Sequence, residues 1–115
     1  ERKHIPIFIE HVLRRFSVEQ LEQIPGVGKK TARFFKLHTD SDATCVPLDT
    51  HILKFIKSHY VMPWCENIPS TTPQSDTKYR RWEDEAHKLM TAYMKRNYLS
   101  TLAEADLAIW KSYAY

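Results

Sequence analysis

Both glycines of this 115-residue chain fall within three positions, in the run Ile24-Pro25-Gly26-Val27-Gly28. Glycine relieves the Cβ clash that limits a tight turn, and the flanking residues read as two short helices. Ser17 is an N-cap candidate, with Gln20 three residues on to complete a capping box. Leu21 and Ile24 are the apolar contacts of the first helix. A second helix is predicted from Lys29 to Lys36, with Ala32 and Phe35 packing back on the first. Residues 18–37 therefore read as a helical hairpin whose turn is thin, with Val27 anchoring it to the core.

The second helix of such a hairpin begins with amides that have no partner inside the helix, and with the helix dipole they suit an anion. Lys29, Arg33 and Lys36 follow at helical spacing and extend a positive face. Contact of this kind grips a nucleic-acid backbone and reads no base. The expected backbone contacts are Pro25, Gly26, Val27, Gly28, Lys29, Thr31 and Arg33. The turn carbonyls are a candidate site for a monovalent cation; no other metal is expected. The alternative is an ordinary helical hairpin with a tight turn. A dinucleotide-cofactor loop fits poorly, because Gly26-Val27-Gly28 follows a helix rather than a strand and lacks the rest of that fingerprint.

The remainder reads as all-α, one helical domain over residues 1–115. A first helix is predicted over 5–16, with Ile5, Phe8, Ile9, Val12, Leu13 and Phe16 at core spacing. After an irregular stretch at 37–48, Asp49 is the expected N-cap of a helix over 50–59, buried through Ile52, Leu53 and Ile56. Residues 61–77 hold three of the six prolines among many Ser and Thr, and read as a loop. A helix over 78–95 follows, with Tyr79, Trp82, Ala86, Leu89, Met90 and Tyr93 inward and Glu83, Asp84, Glu85, Lys88 and Arg96 towards water. The last helix, over 102–113, starts with a Thr101/Glu104 capping box. Its residues Leu102, Ala105, Leu107, Ile109, Trp110 and Tyr113 cover well over half its girth, as in a central helix or one that meets a partner.

Net charge is only +3, but the basic excess lies in one half. Residues 1–60 carry ten Lys and Arg against seven Asp and Glu, whereas residues 61–115 carry seven of each. Cys45 and Cys65 form no CxxC pattern and suggest reduced thiols. No apolar run approaches a membrane span and no secretory signal is visible, so no membrane partner is expected. The chain begins at Glu1 without Met, as a fragment or a processed product would.

Lys30 and Asp49 invite a chemical reading. A lysine attacks only as the neutral amine, and a carboxylate beside it can take the proton at the moment of attack. Such a pair suits chemistry at a sugar C1′, where the amine displaces a base and forms a Schiff base while the carboxylate stabilises positive charge on the sugar. From spacing alone, Lys30 reads first as a phosphate contact and Asp49 first as a plain N-cap.

Ile24-Pro25-Gly26-Val27-Gly28-Lys29-Lys30-Thr31-Ala32, followed by Val46-Pro47-Leu48-Asp49-Thr50-His51-Ile52, resembles the helix-hairpin-helix superfamily of base-excision DNA glycosylases. The likeness is to its endonuclease III and 8-oxoguanine glycosylase branches, and its specific part is residues 17–56. The resemblance implies Lys30 as the Schiff-base nucleophile and Asp49 as the catalytic carboxylate of a glycosylase with AP-lyase activity. Its partner would be double-stranded DNA, damaged or abasic. His51 follows the family pattern as a structural residue, and His51, Tyr60 and Trp64 are the candidate base or loop contacts. Two features depart from the family. About 16 residues precede the hairpin, so the N-terminal part of the full fold is missing from this chain, and an omitted segment or a second chain would complete the cleft. The four-cysteine cluster loop is absent too, so neither an iron–sulfur centre nor any other cofactor is implied. An intracellular setting follows, cytoplasmic in a prokaryote or nuclear in a eukaryote. Two other functions fit the same residues: a non-catalytic helix-hairpin-helix DNA-binding module, and a helical protein-interaction domain built on the apolar last helix.

Overall fold

A computed structural model describes residues 14–60 and 68–113. Among these residues there are five helices and no strand: α1 (Val18–Glu22), α2 (Lys29–Thr39), α3 (Thr50–Lys57), α4 (Asp76–Arg96) and α5 (Leu102–Tyr113). None is long and apolar enough to cross a membrane.

The helix starts are set by short-range side-chain chemistry. Ser17 Oγ accepts the Gln20 N–H at 3.1 Å while Gln20 Oε1 accepts the Ser17 N–H at 2.8 Å, a reciprocal capping box. Asp49 caps α3 by accepting the Ile52 N–H at 2.9 Å. Ser75 caps α4 through the Lys78 N–H, and Thr101 and Glu104 cap α5 reciprocally at 3.2 and 3.0 Å. Each cap satisfies amides that the helix itself cannot.

The Ser75 cap starts α4 two residues before the expected start at 78. α2 runs to Thr39 rather than stopping at Lys36, because no Gly or Pro interrupts it; Thr39 Oγ1 donates to the Phe35 carbonyl at 2.8 Å. The helix expected over 5–16 lies outside the described residues except for Arg14–Phe16, which form a turn and bend. Trp64, Cys65 and the rest of residues 61–67 of the expected 61–77 loop also lie outside them.

Packing divides into two clusters. The larger gathers α3, α4 and α5 around Ile52, Leu53, Phe55, Ile56, Trp82, Ala86, Met90, Ala105 and Ile109, with Val46 and Leu48 from the irregular segment. The smaller belongs to the hairpin: Leu21, Ala32 and Phe35, closed by Phe16, Val18, Ile24 and Val27. α2 borders both, turning Ala32 and Phe35 to α1 and Leu37 to the main core. Leu48, Ile56 and Trp82 are almost solvent-free, and burial of such side chains is the chief stabilising term.

α5 corrects one expectation. Its buried stripe is Leu102, Ala105, Asp106 and Ile109, spaced i, i+3, i+4, i+7, while Leu107 turns outward at 44% exposure. An aspartate takes a core position because His38 Nε2 of α2 lies 2.7 Å from Asp106 Oδ2; a buried carboxylate needs such a partner. The rest of the stripe meets α3 and α4, so the helix is central.

Replacing Ile56, which is 0% exposed, by Ala should cost about 2–5 kcal/mol. Urea unfolding followed by circular dichroism measures it, and a loss under about 1 kcal/mol would show a core far looser than described.

Candidate nucleic-acid interface

The hairpin turn is built outward. Gly26 adopts φ +85°, a left-handed backbone that a side chain resists. The Val27 N–H closes the turn on the Ile24 carbonyl at 3.0 Å. That carbonyl is one of the turn oxygens a monovalent cation would need, and part of its accepting capacity is spent in this bond. Gly28 is the N-cap of α2, with extended backbone and no capping side chain. Pro25, Gly26 and Gly28 are exposed, and a Cβ built on either glycine meets nothing within 4 Å. Val27 tucks against the hairpin cluster. The Ala32 N–H is the first to bond back along α2, to the Gly28 carbonyl at 3.0 Å. The amides ahead of it therefore emerge at an open, uncapped helix end.

The cations do not lie as the helical spacing predicts. Arg33, expected on the phosphate-binding face, is 7% exposed. Its Nε donates to Glu83 Oε2 at 2.9 Å and its Nη1 to Glu22 Oε2 at 3.1 Å. The guanidinium lies 4.4 Å over the Tyr79 ring. A planar fork with five donors suits such a multiply bonded, sheltered position. Arg33 is thus held as an internal tie, turned away from the open helix end. Lys29 is bridged to Asp76 and, at 3.6 Å, to Glu22; the hydrogen bond it donates to Asp76 is the main cause that raises its pKa. Lys36 donates to the Arg14 carbonyl at 3.2 Å and lies 3.7 Å from Asp40. The positive face of Lys29, Arg33 and Lys36 is therefore largely answered by acids. Lys30 and Thr31 are the exposed residues of the first turn.

Asp49 sits at the end of a segment held from both sides. Val46, Pro47 and Leu48 are buried. The Val46 N–H donates to Glu83 Oε2 at 2.8 Å. The Tyr79 hydroxyl donates to the Val46 carbonyl and accepts the Leu48 N–H, both at 2.8 Å, and burial pushes this phenol well up. Thr72 Oγ1 donates to the Leu48 carbonyl at 2.7 Å. The Asp49 side chain is 16% exposed, with Oδ2 4.0 Å from His51 Nδ1.

Lys30 forms no ion pair with Asp49. His51 turns its ring edge to Trp110, centroids 5.8 Å apart, and its Nδ1 is buried. Tyr60 packs partly buried on the main cluster, and Trp64 lies outside the described residues. An open hollow of about 680 Å³ is lined by Arg33, Cys45, Glu83, His87 and Lys88 among others, and by neither Lys30 nor Asp49. Its mixed charges and the absence of either candidate group separate it from chemistry at that pair. No group of three or more His, Cys, Asp or Glu placed to hold a metal occurs among the described residues.

The residues that sequence reasoning missed are Glu83 and Tyr79. Glu83 reads as a solvent-facing charge and Tyr79 as plain core; the structure turns both towards Arg33 and the approach to Asp49. The pairing of Arg33 with Glu83 spans 50 positions, and no local pattern announces it. Comparison with protein-family models, curated proteins and solved structures gave no match. Function is therefore to be read from these residues and their placement.

The two glycines of the turn should differ in what a side chain costs. Gly26→Ala forces a side chain into the left-handed region and should cost about 1–2 kcal/mol. Gly28→Ala, with ordinary φ and open space, should cost less than about 1 kcal/mol. Paired urea titrations decide this, and equal losses would contradict the turn geometry. Burial raises the Cys45 thiol to about 11, so at pH 8 it should alkylate far more slowly than an unfolded-state thiol, and faster as pH rises towards 11. Mapped iodoacetamide labelling, which separates Cys45 from Cys65, checks this; rapid labelling at pH 8 is the contrary result.

Proposed function

We propose that this chain is a helix-hairpin-helix domain of the DNA-glycosylase type, acting in base-excision repair on damaged or abasic double-stranded DNA with AP-lyase activity. The observation that carries the proposal is the exposed, uncapped Gly26-Val27-Gly28 turn with Lys30 standing in the first helical turn behind it. A phosphate received by amides at this end would bring the adjacent sugar within reach of the Lys30 amine.

The chemistry is that of a Schiff-base lyase. Lys30 Nζ bonds to C1′ and the glycosidic bond breaks, its electron pair leaving with the base, which takes up a proton. Asp49, held at the head of α3 by the Ile52 amide, stabilises the sugar cation as it develops or accepts the amine proton. Ring opening gives an iminium. Loss of a C2′ proton then expels the 3′ phosphate by β-elimination. The setting proposed is intracellular, cytoplasmic in a prokaryote or nuclear in a eukaryote.

A second reading has one observation in its favour. Lys30 is exposed and has no hydrogen bond or ion pair holding it near Asp49, as suits a module that holds DNA without cutting it. A protein-interaction domain is favoured by no specific observation, since Leu102, Ala105 and Ile109 of the last helix pack on α3 and α4.

Incubation with a duplex carrying one abasic site, under borohydride, should give a covalent protein–DNA adduct that Lys30→Ala abolishes. Asp49→Asn should slow adduct formation and strand cleavage on the same duplex by about 100-fold or more. A wild-type protein that neither traps nor cleaves rules out the lyase; salt-sensitive duplex binding retained by Lys30→Ala would then identify the holding module.

A further inference from the structure

Lys30 and Asp49 lie on different elements, with no direct bond between them, so something else must fix their separation. Two short tethers converge on α4. From one side, Arg33 stands three residues after Lys30 on the same helix and places its Nε 2.9 Å from Glu83 Oε2. From the other, Val46 stands three residues before Asp49 and donates its N–H to the same Glu83 oxygen at 2.8 Å. One turn earlier on α4, Tyr79 repeats the arrangement. Its ring lies under the Arg33 guanidinium at 4.4 Å, and its hydroxyl brackets the Val46 carbonyl and the Leu48 N–H. Tyr79 is 0% exposed and the Glu83 side chain 13%. Sheltered, charge-assisted bonds of this kind are stiff and specific in geometry.

We propose that Glu83 and Tyr79, acting through Arg33 and Val46–Leu48, are positioning residues that set the distance between the Lys30 amine and the Asp49 carboxylate. This rests on the lyase reading above. Glu22 also pairs with Arg33 but belongs to α1, so it braces the hairpin internally and has no bond to the segment leading to Asp49. That difference separates a positioning role from general stabilisation of the hairpin. Because misplacement of a reacting group by about 1 Å costs up to about 100-fold in rate, loosening α4's hold should act on the chemical step. The grip on the backbone, made at the turn, should remain.

The test compares wild type, Glu83→Gln, Tyr79→Phe and Glu22→Gln at a temperature where each is fully folded by circular dichroism. Each is given duplex DNA with one abasic site, and both the dissociation constant and the single-turnover cleavage rate at saturating protein are measured. Glu83→Gln and Tyr79→Phe should lose about 10- to 100-fold in rate with the dissociation constant little changed, while Glu22→Gln keeps the wild-type rate. Tyr79→Phe preserves the ring under Arg33 and deletes only the hydroxyl, so it carries the test if Glu83→Gln does not fold. Full rate in both α4 variants, or rate and affinity falling in parallel, or an equal rate loss in Glu22→Gln, overturns the positioning role and leaves the lyase reading standing. A wild-type protein with neither trapping nor cleavage overturns both.

Discussion

The Arg33 guanidinium is the joint on which this structure turns. It leaves the hairpin, meets Glu22 on its own side, crosses to Glu83 and lies over Tyr79. The hairpin's private cluster of Leu21, Ala32 and Phe35 is too small to be a domain by itself, so its orientation depends on contacts with the main core. Leu37 supplies an apolar one, and the His38–Asp106 pair a polar one farther along α2. Lys29 meets the exposed Asp76 at the start of α4, and Arg33 is the nearest sheltered contact to the turn. A charge so sheltered is costly to bury unless its donors are met, and here carboxylates on both sides meet them. The stake is geometric more than energetic.

The same economy of charge explains why the exposed surface of the hairpin differs from its helical wheel. Lys29, Arg33 and Lys36 share one face, but acids at Glu22, Asp40, Asp76 and Glu83 come to meet it. Paired cations contribute little field beyond a screening length. What remains open at the tip is backbone: the glycine turn and the first amides of α2, with Lys30 and Thr31 beside them. Any anion held there would be held chiefly by dipoles fixed in the fold, which need no reorganisation to act.

The boundaries of the fold were largely legible, and for a single reason. Ser17 with Gln20, Asp49 with Ile52 and Thr101 with Glu104 each act over three residues, so a reader of the chain sees both partners at once. The inward faces of α3 and α4 follow from period alone. Where legibility failed, the partner was remote. Glu83 looks like a surface charge until Arg33 arrives from 50 residues away, and nothing near Asp106 in the chain marks it as buried until His38 arrives from 68. Leu107 is the complementary case: it belongs to the broad apolar surface of the last helix by sequence, yet turns outward beside the buried aspartate.

The sequence by itself determined the helices, their caps and the thin glycine turn, because the forces behind them act within one or two helical turns. It also placed Lys30 and Asp49 in the pattern on which the proposed chemistry rests. Only the tertiary structure decided which cations are spent internally, that Arg33 belongs to the interior, and that α4 ties the helix of Lys30 to the segment of Asp49. Those outcomes depend on which charges meet across the folded core, and chain distance carries no record of that.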